Sequence, residues 1–173
     1  EGFLRQKGGH NIRTVVACKM NIVLVEPEIP PNTGNVARLC AATRTTLHLV
    51  EPLGFKMGHA QLKRAGMDYW QHVQWKLWKN WPELERSVSP SAQVWLIESG
   101  GPRLYTNATF GPSDYIVFGR ETAGLPKPLL EARSDHWLRI PMMNCSARSL
   151  NLSNCAALVL FEALRQQGFA GEV

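Results

Sequence analysis

The sequence predicts an α/β fold, a mostly parallel sheet flanked by helices. Three observations carry that expectation. Short β-branched or apolar runs recur along the chain, helical patterns lie between several of them, and polar or glycine-rich loops follow three of the runs. At 173 residues and 45% hydrophobic composition the chain fills one sizeable core better than two small ones, so a single domain is expected over residues 20–173.

The elements follow in order. Residues 1–19, "EGFLRQKGGHNIRTVVACK", lack hydrophobic periodicity, and Met20 then opens a strand-like run, which makes them an N-terminal extension or an added leader. Their basic, acid-poor composition also fits a transit peptide. Strands are expected at "NIVLV" (21–25), "TLHLV" (46–50), "QVWLI" (93–97), "YIVF" (115–118) and "WLRI" (137–140). Helices are expected at 34–43, 60–69, 81–87, 127–133 and 151–167. Two strands end in "LVEP", where Pro27 and Pro52 stop a strand as it leaves the sheet.

Composition excludes several classes. The longest apolar run, "CAALVLF", is seven residues, far short of the ~20 needed to span a bilayer. Cys18, Cys40, Cys145 and Cys155 show no C-x-x-C spacing, which argues against zinc and a disulfide scaffold and for a reduced, intracellular protein. Five histidines (10, 48, 59, 72, 136) show no metal-ligand spacing, and no G-x-S-x-G elbow is present. Of the +5 net charge, +3 lies in residues 1–19, so a polyanion site must be a local patch.

Ligands of open α/β sheets sit beyond the carboxyl ends of strands, where three loops fall. In "PPNTGNVAR" (30–38) the prolines force an extended approach, and Asn32 or Thr33 can cap the following helix. Arg38 stands early in that helix, where the dipole disfavours a cation, and is either a surface charge or a functional one. "FGRETAGLP" (118–126) spaces Gly119 and Gly124 like a P-loop, but Leu125 and Pro126 replace the required lysine and hydroxyl. It reads as a loop whose glycines admit a ligand to the backbone around Glu121, or as a plain turn with a solvated glutamate. In "PMMNCSARSLNLSN" (141–154), Ser149 or Asn151 can cap the last helix. Ser153 and Asn154 add polar groups in its first turn, which makes either ordinary capping or a polar pocket.

Together "EPEIPPNTGNVARLCAA", "FGRETAGLP", "RIP…RSLNLSN" and "RAGMDYW" (64–70) resemble the SPOUT class of RNA methyltransferases. From Met20 to Gly171 the chain is similar to the family that 2′-O-methylates the wobble nucleotide of tRNA. The segment between Pro141 and Ser149 is one residue longer than the common pattern, and Arg120 stands where many relatives have proline. The resemblance implies a C-terminal deep trefoil knot, S-adenosylmethionine (AdoMet) as cofactor, tRNA as substrate, a homodimer, and no metal or membrane. It implies a cytoplasmic enzyme, or an organellar one if the extension is natural. Ile97, Glu98, Ser99, Gly119, Gly124, Ile140, Met142, Ser149 and Leu150 match the cofactor positions. Asn32, Arg38, Glu121, Ser149 and Asn151 match the reaction centre, where Arg38 is either a base or an electrostatic clamp. A SPOUT enzyme acting on ribosomal RNA and a non-catalytic RNA-binding protein of the same fold are the alternatives.

Overall fold

The computed structural model describes residues 19–56, 70, 72–144, 146–147 and 149–172. The expected helix at 60–69, all of "RAGMDYW" except Trp70, most of the N-terminal extension, Cys145 and Arg148 lie outside the described residues. Seven strands form one sheet: β1 (Asn21–Val25), β2 (Thr46–Val50), β3 (Trp75–Trp78), β4 (Val94–Ile97), β5 (Arg103–Leu104), β6 (Tyr115–Phe118) and β7 (Trp137–Arg139). Their order is β3-β2-β1-β6-β4-β7-β5, and every pairing is parallel.

Period-2 alternation divides the core into two layers. Ile22, Leu24, Leu47, Leu49, Ile116 and Phe118 face one side, covered by helices α1 (Pro30–Thr43) and α4 (Leu152–Gln166). Val23, Val25, Val50, Leu96 and Val117 face the other, covered through Leu84 of α2 (Trp81–Ser87) and Leu130 of α3 (Lys127–Ala132). Burial on both faces is why these strands read as continuous apolar runs. The expected strands are present to within a residue at their ends, and β3 and β5 are additions to them.

The start of α1 differs from expectation. Pro30 and Pro31 do not extend the chain ahead of the helix but occupy its first turn, with Ile29 as N-cap and no side-chain cap of its own. Proline loses nothing there, because first-turn N–H groups have no intrahelical partner. Asn32 and Thr33 are therefore buried inside the helix rather than capping it. Asn151 does cap α4, its side chain accepting from the Ser153 N–H.

His48, buried on β2, has a structural role. Its Nδ1 accepts from Trp78 Nε1 at 3.0 Å and its Nε2 pairs with Asn21 Oδ1 at 3.1 Å, an arrangement that suits the neutral ring. Burial, with the Lys76 charge second, pushes its pKa down from 6.5 to about 4. The unfolded chain takes up this proton first, so stability fully present above pH 6.5 is lost as pH falls toward 4. At pH 5 the loss from this group should be about 2 kcal/mol. Urea denaturation at pH 7 and pH 5 should show it, and His48→Gln should remove most of the difference between the two; a difference that persists assigns it to other groups.

Candidate functional site

The order of the sheet reverses between β1 and β6, and the loops leaving those two strands build the site. Glu121, from the loop after β6, supplies the cap that α1 lacks. Its carboxylate accepts from the backbone N–H of Glu28 at 2.9 Å, from that of Ile29 at 3.3 Å, and from Asn32 Nδ2 at 3.1 Å. A carboxylate is favoured at this end of the helix dipole. The grip is reciprocal: Glu28 accepts from the Thr122 N–H at 3.0 Å and from its hydroxyl at 2.8 Å. These bonds, the hydroxyl one first, hold the Glu28 carboxyl below the ordinary carboxylate value. Arg120 adds a 3.5 Å ion pair to Glu26, whose backbone is left-handed at φ 52°.

Asn32 carries the connection onward. Its Oδ1 accepts from Asn151 Nδ2 at 2.9 Å, and Asn151 Oδ1 accepts from the Ser153 N–H at 2.9 Å and from the Ser153 hydroxyl at 2.6 Å. One run of hydrogen bonds, Glu121 to Asn32 to Asn151 to Ser153, thus joins all three loops. The polar residues that open α4 cap it and also tie it to α1.

The loop at 119–124 closes on itself, with Arg120 and Gly124 exchanging backbone hydrogen bonds at 3.2 and 2.9 Å. A Cβ on Gly119 would stand 2.2 Å from the Gly124 carbonyl carbon. One on Gly124, where φ is +66°, would stand 2.1 Å from Glu98 Oε2. The glycines are thus required first by the packing of the loop and only then by any ligand. Glu98 locks the loop from the other side: Oε2 accepts from the Leu125 N–H at 2.9 Å, while Oε1 accepts from the Ser99 N–H and hydroxyl at 2.8 and 2.9 Å.

These loops enclose a cavity of about 850 Å³. Asn32, Ile97, Glu98, Ser99, Gly119, Glu121, Gly124, Ile140, Met142, Ser149, Leu150 and Asn151 all line it, so every site residue expected from the sequence is brought together except one. Arg38 is exposed on α1 and is absent from the lining. The lining also includes Phe118, Thr122, Leu152 and Cys155, none assigned to the site from the sequence, and Arg120, which stands where many relatives have proline. Cys155 follows Asn151 by four residues, one helical turn, which is the signal that places it there. Burial pushes its thiol pKa up, so it is a poor nucleophile. Among the described residues no group of three or more His, Cys, Asp or Glu is placed to hold a metal ion, and no helix is long and apolar enough to cross a membrane. A second cavity, about 790 Å³, opens on the other face of the sheet, where Glu26 and Glu85 are already paired with Arg120 and Arg133.

Residues 19–161 match the SpoU rRNA methylase family. A protein of Saccharophagus degradans named tRNA (cytidine(34)-2'-O)-methyltransferase is 48% identical over 154 residues, covering 87% of this chain and 97% of that protein. A solved structure described as giving insights into the 2-OH methylation of C/U34 on tRNA aligns with TM-score 0.82 at 40% identity, covering 88% of this chain and 99% of the other. An AdoMet-bound rRNA methyltransferase of Sinorhizobium meliloti, 22% identical, shares the fold with TM-score 0.71 over 85% of this chain and 56% of its own.

Proposed function

Because the chain belongs to the SpoU rRNA methylase family, we propose that it is an AdoMet-dependent enzyme that methylates the ribose 2′-hydroxyl of the wobble pyrimidine nucleotide in tRNA. The observation that carries this reading is the cavity on which the cofactor positions and all the reaction positions but Arg38 converge. Near-complete coverage of a relative with that activity supports the choice of substrate. Residues 20–173 act as one catalytic domain in the cytoplasm, with a deep trefoil knot in its C-terminal part.

The cavity fits the cofactor. Ile97, Phe118, Ile140 and Leu150 offer apolar walls for a purine, and Glu98 places a carboxylate where a cationic ligand is favoured. Bound there, AdoMet would supply an electrophilic methyl on a sulfonium for transfer to the ribose 2′ oxygen, with the neutral thioether as leaving group and the hydroxyl proton released to solvent. The chain contributes alignment, exclusion of water and charge at that oxygen. A guanidinium does not give up its proton in a protein, so Arg38 clamps a substrate phosphate and the developing charge rather than serving as the base. Glu121, engaged by three donors, positions α1, while Asn32 and Asn151 hold the two helix ends in register at the cavity rim.

Calorimetry in the presence of a chelator should show AdoMet binding, and Gly119→Val should abolish it because its side chain collides with the loop backbone. Mass mapping of modified nucleosides should then find the 2′-O-methyl group at the wobble position. A folded protein that binds no AdoMet removes the enzyme reading, and a mark on ribosomal RNA moves the substrate.

The working form is a homodimer. α4 buries Ala156, Val159, Leu160 and Ala163, yet leaves Leu158 43% and Phe161 49% exposed, with Phe169 beside Phe161 at a ring-centroid distance of 6.5 Å. A second copy covers this strip. Sedimentation should give twice the 19.4 kDa chain mass, and Phe161→Asp should shift it toward monomer. A wild-type monomer at micromolar concentration sinks the dimer.

A further inference from the structure

We propose that Glu98 makes the cavity selective for the cationic form of its cofactor, so that AdoMet is held more tightly than the neutral thioether left after transfer, S-adenosylhomocysteine (AdoHcy). The inference rests on the AdoMet reading and deepens it, from which ligand the cavity takes to how the spent ligand leaves.

Among the described residues, three charged side chains line the cavity: Glu98, Arg120 and Glu121. Two of them are answered elsewhere. Arg120 pairs with Glu26, which lines the cavity on the opposite face of the sheet, and Glu121 sits at the positive end of α1 with Asn32 as a further donor. Glu98 has no cation partner among the described residues. Its three donors, the Leu125 and Ser99 N–H groups and the Ser99 hydroxyl, are neutral, so they satisfy its oxygens without cancelling its charge. That charge is half-buried, just beyond the end of β4. Its field reaches the first turn of α4, where burial first, and the Glu98 charge with it, raises the pKa of the Cys155 thiol.

Locking the 119–124 loop requires acceptors, and a neutral oxygen at the same place would serve the Leu125 N–H. The charge is surplus to the lock, and what it acts on is the occupant. A sphere of the cavity's volume is about 12 Å across, so a charge anywhere inside stands near one Debye length, about 8–10 Å, from the carboxylate or closer. AdoMet and AdoHcy share the adenosine and amino-acid groups and differ by a methyl and one positive charge on sulfur. The carboxylate therefore attracts the first and not the second. Passing the methyl to the ribose oxygen turns the sulfonium into a neutral thioether, and the attraction ends with the charge. The same attraction favours the bound sulfonium over a transition state in which its charge is already falling, so Glu98 promotes release and adds nothing to the chemical step.

Calorimetry on the full-length protein reads the charge with three ligands: AdoMet, AdoHcy, and an AdoMet analogue bearing a protonated amine in place of the sulfonium. Wild type should bind the two cations about tenfold more tightly than AdoHcy, which unit charges about 10 Å apart supply at an effective dielectric of about 20. Glu98→Gln should bring that ratio close to one. The amide sets its NH₂ against one of the donors and loosens the loop, but loosening lowers all three affinities alike, so the ratio is the measure. Glu98→Ala removes the charge without a competing NH₂ and should give the same ratio. Ser99→Ala takes away one bond of the lock and keeps the charge, so the ratio should stay as in wild type. If the neutral variants lose all three ligands by one factor, Glu98 holds a group that the three share, and the proposal is overturned while the enzyme reading stands. A wild type that does not prefer the cations overturns it as well. A folded wild type that binds none of the three removes the cofactor reading and this proposal together.

Discussion

Replacing Arg38 with lysine should slow methyl transfer by about 10²-fold or more in single-turnover assays on saturating tRNA, while AdoMet affinity stays as it was. Arg38 stands outside the cavity, so the substitution alters nothing that lines it. Lysine keeps the positive charge but lacks the planar fork that holds a phosphate and a developing oxyanion together. Loss of one such transition-state donor is worth roughly 2.7 kcal/mol or more, which is the 10²-fold expected. Arg38 is six residues beyond Asn32, about 9 Å along α1. A helix of that rigidity transmits any displacement at its capped end to the arginine. A lysine variant with near-normal rate would make Arg38 an ordinary surface charge, and one that loses AdoMet binding would show that the two halves of the site are divided wrongly.

How far the sequence disclosed this site depends on which interactions are local. Runs such as "NIVLV" and "YIVF" declare themselves because both faces of a central parallel strand are buried. "WKLW" does not: β3 lies at the edge with three of its four residues exposed, and Trp78 is the one that packs against the core. β5 has two residues, too few for any periodicity. The cap of α1 was beyond reach for a different reason. Glu121 is 92 residues from Ile29, and nothing in "PPNTGN" says that its partner is a carboxylate from another loop. The cap on α4 was legible because Asn151 and Ser153 are two residues apart. The glycines illustrate a right position with an incomplete reason: Gly124 makes room for Glu98, a neighbour only in the folded chain. Positions of cofactor and reaction residues came from the resemblance, and the folded cavity collected all of them but Arg38.

Glu121→Gln should lower both stability and rate, in a proportion that tells what Glu121 does. The amide keeps one acceptor, but its NH₂ group must face either the Glu28 N–H or Asn32 Nδ2, setting two donors against each other where a carboxylate had satisfied both. The negative charge at the α1 N-terminus also disappears. A buried or half-buried donor left without a partner costs about 1–3 kcal/mol, and a chain of this size should lose roughly 2–4 °C of melting temperature per kcal/mol. Release of the cap lets α1 shift against the 119–124 loop, which moves Asn32 at the rim and Arg38 further along the helix. A misplacement of about 1 Å at a reacting centre is enough for about 10²-fold in rate. Thr122→Val supplies the graded control: it removes the hydroxyl bond to Glu28 but keeps the backbone one, so it should have a much smaller effect on both measures. Unchanged melting together with a full rate would reduce Glu121 to a bystander. Unchanged melting with a lost rate would mean that its carboxylate meets the reacting atoms directly, and the cap would then be secondary to chemistry.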